Sequence, residues 1–515
     1  MNSSRLHPII HGTILLTAAG FLSRILGFFY RIFLSNQIGA EGMGIYQLIF
    51  PVYGLCNAVC TASIQTAVSR YTAYEYSARS AKGARRTLVS GLYLSVFLSS
   101  VLGILVYHFA APIAIGFLKE ERCILLLQIM ALSLPLGAVH SSINGYYYGM
   151  QKASVPAFSQ LAEQLVRVFS VYLFVMIALE KGQSATPLLA VYGLVLGEAA
   201  SVLYCLLALS LSGSIRLSNN DSPQAPSHLL QLKRILLLAV PLSANRLLLS
   251  LLQSIESVCI PTSLRSFGHT TSEALEVYGI FTGMAMPFIL FPSALTNSIS
   301  VMLLPAIAQA QAVNDQKQVR QVSGLAVRYS LIIGILFTGI FLFYGNEMGT
   351  LIFHNQTAGL YISILSWLCP FLYVTTTAGS ILNGLEKTGL TFFHNIIALT
   401  IRILFVFFAV PKTGILGYLW GLLISQLVIA ALHLYSAKRL VNFSFSAYSF
   451  ILLPLIKLAA SLAVTELLFR LLPCPQISEL ILLACRICVI CLCYFLLHAG
   501  EIQSFVRPGK KHVRT

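Results

Sequence analysis

Runs of about 20 apolar residues follow one another along nearly the whole sequence, each parted from the next by a short polar break. A helix of that length, rising 1.5 Å per residue, spans the roughly 30 Å hydrocarbon layer of a bilayer. A helix also satisfies its own backbone hydrogen bonds, which an open strand in lipid does not. The pattern therefore predicts an all-α polytopic membrane protein. Fourteen spans are expected, at 9–36, 43–69, 88–117, 123–148, 154–179, 187–212, 233–260, 275–303, 323–350, 358–383, 390–410, 414–437, 448–472 and 478–500. Composition excludes an ordinary soluble globule: 57% of the 515 residues are hydrophobic and 10% are charged, where soluble domains carry about 25% charged residues. Residues 1–9 lead straight into a full-length apolar span, so no cleavable signal peptide is expected.

The formal net charge is +16. In a soluble chain that excess would point to nucleic acid. Here it follows from the tendency of cytoplasmic loops to collect Lys and Arg. With the N-terminus inside, the inner segments hold 20 basic residues, among them Arg70, Lys82, Arg85, Arg86, Lys317, Arg320, Lys438 and Arg439. The outer loops hold five: Lys119, Arg122, Lys181, Arg265 and Lys412. The bias places both termini in the cytoplasm of a multi-pass cell-membrane protein. The longest breaks, 70–87, 213–232 and 304–322, are too short for a soluble domain. The second is rich in Ser, Pro and Asn and reads as a flexible cytoplasmic linker.

The halves on either side of that linker resemble each other. "GMQKASVPAFSQLAEQLVRVF" (149–169) aligns without a gap on "GLEKTGLTFFHNIIALTIRIL" (384–404), so that Gly149 meets Gly384, Lys152 meets Lys387 and Arg167 meets Arg402. The same offset of 235 brings "GIYQLIF" (44–50) onto "GIFTGMA" (279–285), and "GLVLGE" (193–198) lies over "GLLISQ" (421–426). The expected organisation is a six-helix half (1–212), a linker (213–232), a second six-helix half (233–440) and two added helices with a basic tail (441–515). Two parallel six-helix repeats around a shared cavity suit an alternating-access transporter with its site near the midplane.

Ionisable residues inside spans are functional candidates by default. Arg24 and Arg31 lie seven residues apart in the first span, almost two helical turns, and so share one face. Their counterparts in the seventh span are Arg246 and Gln253. An arginine in hydrocarbon costs at least about 2.5–3.5 kcal/mol, while its planar guanidinium binds phosphate bidentately. Arg24, Arg31, Arg246 and Gln253 are accordingly the candidate site for an anionic, diphosphate-bearing substrate; the competing reading has each arginine snorkelling or paired with an acid. Arg167 and Arg402, equivalent by repeat, read as structural intramembrane charges. Glu198 and Glu256 are candidates for coupling to a Na+ or H+ gradient, the membrane potential being another energy source. No resident cofactor and no metal is expected. Cys485, Cys488, Cys491 and Cys493 sit in an apolar terminal helix without a second ligand cluster, so they read as helix packing. His11, His140 and His394 are isolated in sequence and read as packing residues, and "NGYYYG" (144–149) reads as an aromatic interface belt. No P-loop, nucleophile elbow or zinc-protease motif is present, so the chain is not expected to be an enzyme.

The stretch "AAGFLSRILGFFYRIFLSNQIGAEGMGIYQLIFPVYGL" (18–55) resembles the start of the stage V sporulation protein B group, as does "FPSALTNSISVMLLPAIAQA" (291–310). That group belongs to the polysaccharide-exporter branch of the multidrug/oligosaccharidyl-lipid/polysaccharide flippase superfamily and is related to lipid II flippases of the MurJ type. The resemblance implies a flippase that carries an undecaprenyl-diphosphate-linked precursor, of the lipid II type, from the inner to the outer leaflet, for the spore cortex or another wall layer. It implies that Arg24 and Arg31, in "SRILGFFYRI", hold the diphosphate. It also implies the lipid-linked substrate, the bilayer and cell-wall synthesis proteins as partners. The chain departs from the MurJ-type pattern at Ile32, where those relatives carry aspartate, and at Leu55, where they carry arginine. The alternatives are a cation-coupled multidrug or small-molecule exporter of the same superfamily and a non-transporting scaffold of cell-wall synthesis.

Overall fold

A computed structural model describes residues 3–78, 80–211, 227–471 and 478–499. Most of the expected linker, Arg79 and the basic tail with Arg507, Lys510, Lys511 and Arg514 lie outside the described residues. Every regular element among the described residues is a helix, and 14 are long and apolar enough to cross a membrane. The number is the expected one, but the partition differs in two places.

The first two expected spans lie in one helical run, Leu15–Ser77, of 63 residues. Straight, it would be about 95 Å long, three times the hydrocarbon thickness. Gly39 breaks it: φ 72° and ψ 177° are closed to a residue with a Cβ, and the helix resumes at once in a new direction. The eighth expected span, in contrast, comes as Thr271–Leu290 and Ser293–Gln311, parted at Phe291 and Pro292. Proline lacks the N–H and clashes with the preceding turn. Pro241 and Pro261, by comparison, lie inside the continuous helix His228–Phe267.

The chain forms two compact units, Met1–Gly283 with Ile403–Tyr418, and Met284–Arg402 with Leu419–Thr515. In the first, Ile64, Val68, Leu88, Ile143, Tyr146, Tyr147 and Ile235 form a buried core. This corrects the interface-belt reading of "NGYYYG". Tyr146 and Tyr147 are 2% and 1% exposed, and only Tyr148 reaches the surface. The glycines explain the burial. A Cβ on Gly145 would lie 2.7 Å from the Gln65 carbonyl, and one on Gly149 would lie 2.7 Å from the Thr72 Cβ. Two helices therefore approach almost backbone to backbone and carry the tyrosines inward.

A second close crossing joins Ser154–Glu180 to Pro187–Leu211. Gly193 and Gly197, four residues apart, are a small-xxx-small pair. A Cβ on Gly193 would lie 3.1 Å from the Arg167 carbonyl, and one on Gly197 would lie 2.9 Å from the Glu163 carbonyl. Gly197→Val is expected to lower stability by about 1–3 kcal/mol through overpacking, read as an earlier melting transition in detergent; an unchanged transition would contradict so tight a crossing. A third crossing sets Gly44 against Gly279, residues matched by the 235 offset: a Cβ on Gly279 would lie 2.6 Å from the Gly44 nitrogen.

In the second unit, Leu303, Ile307, Val319, Val327, Ile381, Leu382 and Phe450 form the core. The two added helices attach to Gln316–Phe353: the Tyr494 hydroxyl donates to the Ile332 carbonyl at 3.1 Å, and the Tyr344 hydroxyl donates to Glu466 at 2.7 Å.

The offset of 235 recurs in details the sequence alignment did not use. Ser80 caps its helix by accepting from the Gly83 amide, and Asp315 caps its own by accepting from the Gln318 amide. The hydroxyls of Ser95 and Ser142 lie 2.7 Å apart in the first unit, and those of Ser330 and Thr377 lie 2.5 Å apart in the second. Lys119 and His354 both take a left-handed turn, at φ 59° and 53°, as do Gln151 and Glu386, at 60° and 61°. Caps, buried hydroxyl pairs and turns thus repeat in register.

Candidate functional site

The glycine crossings set the chemistry of the first unit. Because Gly193 and Gly197 let Pro187–Leu211 lie close on Ser154–Glu180, Glu198 comes beside Glu163 and Arg167. Gly137, on Ser133–Gly149, leaves room for the same carboxylate; a Cβ there would stand 3.4 Å from Glu198 Oε2. One turn further on, His140 brings its Nδ1 to 2.9 Å from Glu198 Oε2. The Tyr53 hydroxyl donates to Glu198 Oε1 at 3.0 Å, and Arg167 pairs with Glu163 one turn away on its own helix. Glu198 is 4% exposed. The donor atoms of His140, Glu163 and Glu198 all fall within 4.8 Å of one another.

The buried acids have different settings. Glu198 lies in this cluster. Glu256, 5% exposed, accepts a hydrogen bond from the Tyr418 hydroxyl at 2.8 Å in a tyrosine-capped site beside Phe281, whose ring centroid is 5.2 Å from that of Tyr418. Outside the spans, Arg122 is held by Glu120 at 2.6 Å and Glu41 at 2.8 Å. The two carboxylates, Glu120 foremost, raise its pKa above the usual arginine value.

Of the proposed phosphate-binding residues, Arg24, Arg31 and Gln253 are exposed and Arg246 is half-buried. Arg246 donates to the Thr66 hydroxyl at 3.3 Å. Among the described residues no carboxylate forms an ion pair with Arg24, Arg31 or Arg246. Arg31 is exposed. Tyr30 and Tyr46, both buried, lie within electrostatic reach of Arg31 and of Arg167. They connect the arginine stripe of the first helix to the carboxylate cluster. Beside them an apolar cleft of about 440 Å³ opens along Leu26, Phe29, Phe33, Leu165 and Tyr172. Arg402 is half-buried in the second unit.

Residues 9–311 match the family model described as "Polysaccharide biosynthesis protein". The chain belongs to this family. Among curated proteins it is 25% identical over 437 residues to stage V sporulation protein B of Bacillus subtilis (strain 168), with 84% of each chain covered. It is 22% identical over 475 residues to the lipid II flippase MurJ of the same organism, covering 84% of this chain and 85% of that protein. Among solved structures, a lipid II flippase MurJ in an inward closed conformation superposes with a TM-score of 0.70 at 16% identity, over 96% of this chain and 100% of that one. An inward-facing MATE-family multidrug resistance transporter of the MOP superfamily gives 0.63 at 15% identity, over 84% and 98%. The polysaccharide biosynthesis family member described here thus has the helical fold these transporters share, as the resemblance of its opening stretch implied.

Sequence reasoning set His140 aside as isolated, and the structure corrects this: it touches Glu198. The spacing gave no sign, because the partners are 58 residues apart on two helices. The available signal was the Gly193-xxx-Gly197 pair, which places Glu198 at a close crossing. His394 is not isolated either; its ring centroid lies 5.1 Å from that of His433. All the described cysteines are free thiols.

Proposed function

We propose that this protein is an alternating-access flippase for an undecaprenyl-diphosphate-linked wall precursor of the lipid II type, carried from the inner to the outer leaflet, with both termini cytoplasmic. It is a transporter and not an enzyme. The observation that carries the reading is the pair Arg24 and Arg31, accessible on one face of the first helix, with no carboxylate pairing them among the described residues. An unpaired guanidinium is tolerated at membrane depth only where something anionic or aqueous meets it. A diphosphate offers each one a bidentate, charge-assisted contact. The apolar cleft beside Tyr30 suits a lipid chain that stays in the bilayer while its head group moves. Arg246 and Gln253 extend the polar lining. The similarity to stage V sporulation protein B and to MurJ supports the same substrate class, with a spore-cortex precursor as one member.

The test is a leaflet-accessibility assay in proteoliposomes. Lipid II placed in one leaflet should become accessible from the other faster with the protein than without it, while a neutral polyprenyl glycoside of the same chain length should not. Equal exchange of both lipids would overturn the anionic-substrate reading.

A further inference from the structure

The second unit shows what the fold needs at the place of the buried cluster. Thr375 stands where His140 stands in the first unit, by the 235 offset, and Ala398 where Glu163 stands. Gln426 stands where Glu198 stands, by the alignment of "GLVLGE" on "GLLISQ". There the Gln426 amide donates to the Thr375 hydroxyl at 3.1 Å. A neutral hydrogen bond therefore suffices to pack this crossing, and the two carboxylates of the first unit are an addition, while the arginine is kept as Arg402.

Two features of that set point to a ligand. Its charges do not cancel: Glu163 and Glu198 bring two negative charges, Arg167 brings one positive charge, and one more positive charge balances them. In addition, His140 Nδ1 and Glu198 Oε2 are buried and 2.9 Å apart, and neither atom has a further partner. At that distance the two atoms form an ion pair when the imidazole is protonated, so the pair is a place for one proton. An imidazole nitrogen beside a guanidinium is a poor setting for a metal cation but a good one for a proton, since histidine changes charge in the physiological range. The groups near His140 are Glu163 and Arg167 from Ser154–Glu180 and Glu198 from Pro187–Leu211, with Tyr53 from Phe50–Cys60 on Glu198; Tyr30 and Tyr46 of the first helix lie within electrostatic reach of both Arg167 and Arg31.

We infer that His140, Glu198 and Glu163 form a proton-binding site whose occupancy sets anion affinity at Arg31. With the proton bound, the cluster is neutral; without it, one net negative charge stands behind Tyr30 and Tyr46 and opposes an anion at the guanidinium. Protonation and anion binding therefore favour each other, and the linkage is reciprocal. The linkage half rests on the flippase reading, whereas the proton site itself does not.

The experiment separates the two. Infrared difference spectra of the reconstituted full-length protein without substrate, between about pH 5 and pH 8, should show a buried carboxyl or imidazolium band. The band should vanish in Glu198→Gln and in His140→Gln, each checked for an unchanged melting transition. Absence of the band from the wild type overturns the proton site without need of a variant. A band that persists in both variants, or one that answers to NaCl against choline chloride rather than to pH, overturns it as well. Binding of lipid II measured at both pH values should be stronger by about tenfold at the lower, the effect of one neutralised charge at roughly 1.4 kcal/mol, and the difference should disappear in His140→Gln. A pH-independent affinity alongside a normal band would leave the proton site standing and overturn the linkage.

Discussion

Arg24→Ala/Arg31→Ala is expected to reduce lipid II transfer in proteoliposomes by about 100-fold or more, with the protein folded and inserted normally. Hydrogen bonds to charged groups are worth about 1.5–3 kcal/mol each, so losing one contact at each arginine removes at least about 3 kcal/mol, and every 1.4 kcal/mol is tenfold. The substituted side chains have no carboxylate among the described residues to leave unpaired, so the fold should not suffer. The lysine double variant should recover part of the loss, because charge is kept while the planar fork that matches a phosphate is gone. Full activity in the alanine double variant, with transfer still specific for the anionic lipid, would return these arginines to a structural role.

The second large effect is on stability. Arg167→Ala removes the cation between Glu163 and Glu198. Deleting one partner of a fully buried ion pair costs about 3–5 kcal/mol, because the remaining charge is left without compensation, and this pair, 17% and 20% exposed, should lose a large part of that. Arg167→Ala should therefore melt well below the wild type. The added change Glu163→Gln should restore most of the loss, since it removes the charge that lost its partner. A double variant no more stable than Arg167→Ala would show that the arginine acts through other contacts. The two effects read different links: the first tests the proposed contact between the first helix and the substrate, the second the ion pair of Arg167.

Much of the architecture was legible because its causes are local. Span length and the repeat of "GMQKASVPAF" on "GLEKTGLTFF" are written along the chain. Gly39 and Pro292 were less so. A glycine can hide a complete break in one continuous apolar run, and a proline breaks one helix but is absorbed in another, as at Pro241. The tyrosines of "NGYYYG" went astray because aromatic residues near a span end fit both a belt and a core; the decision lay with Gly145 and Gly149, which set the distance to the neighbouring helix. The same holds for the buried cluster. Positions 140, 163 and 198 carry no common spacing, and only the crossing at Gly193 and Gly197 brings them together. Arg24 and Arg31, by contrast, share one helix, and their common face follows from helical geometry alone.

The central claim, that the first-helix arginines exist for a diphosphate lipid, is tested most directly by native mass spectrometry of the detergent-purified protein with lipid II, undecaprenyl phosphate and a neutral lipid in competition. The predicted result is preferential retention of lipid II by the wild type, with the preference lost in Arg24→Ala/Arg31→Ala. Equal retention of all three lipids, unchanged by the substitutions, would contradict it.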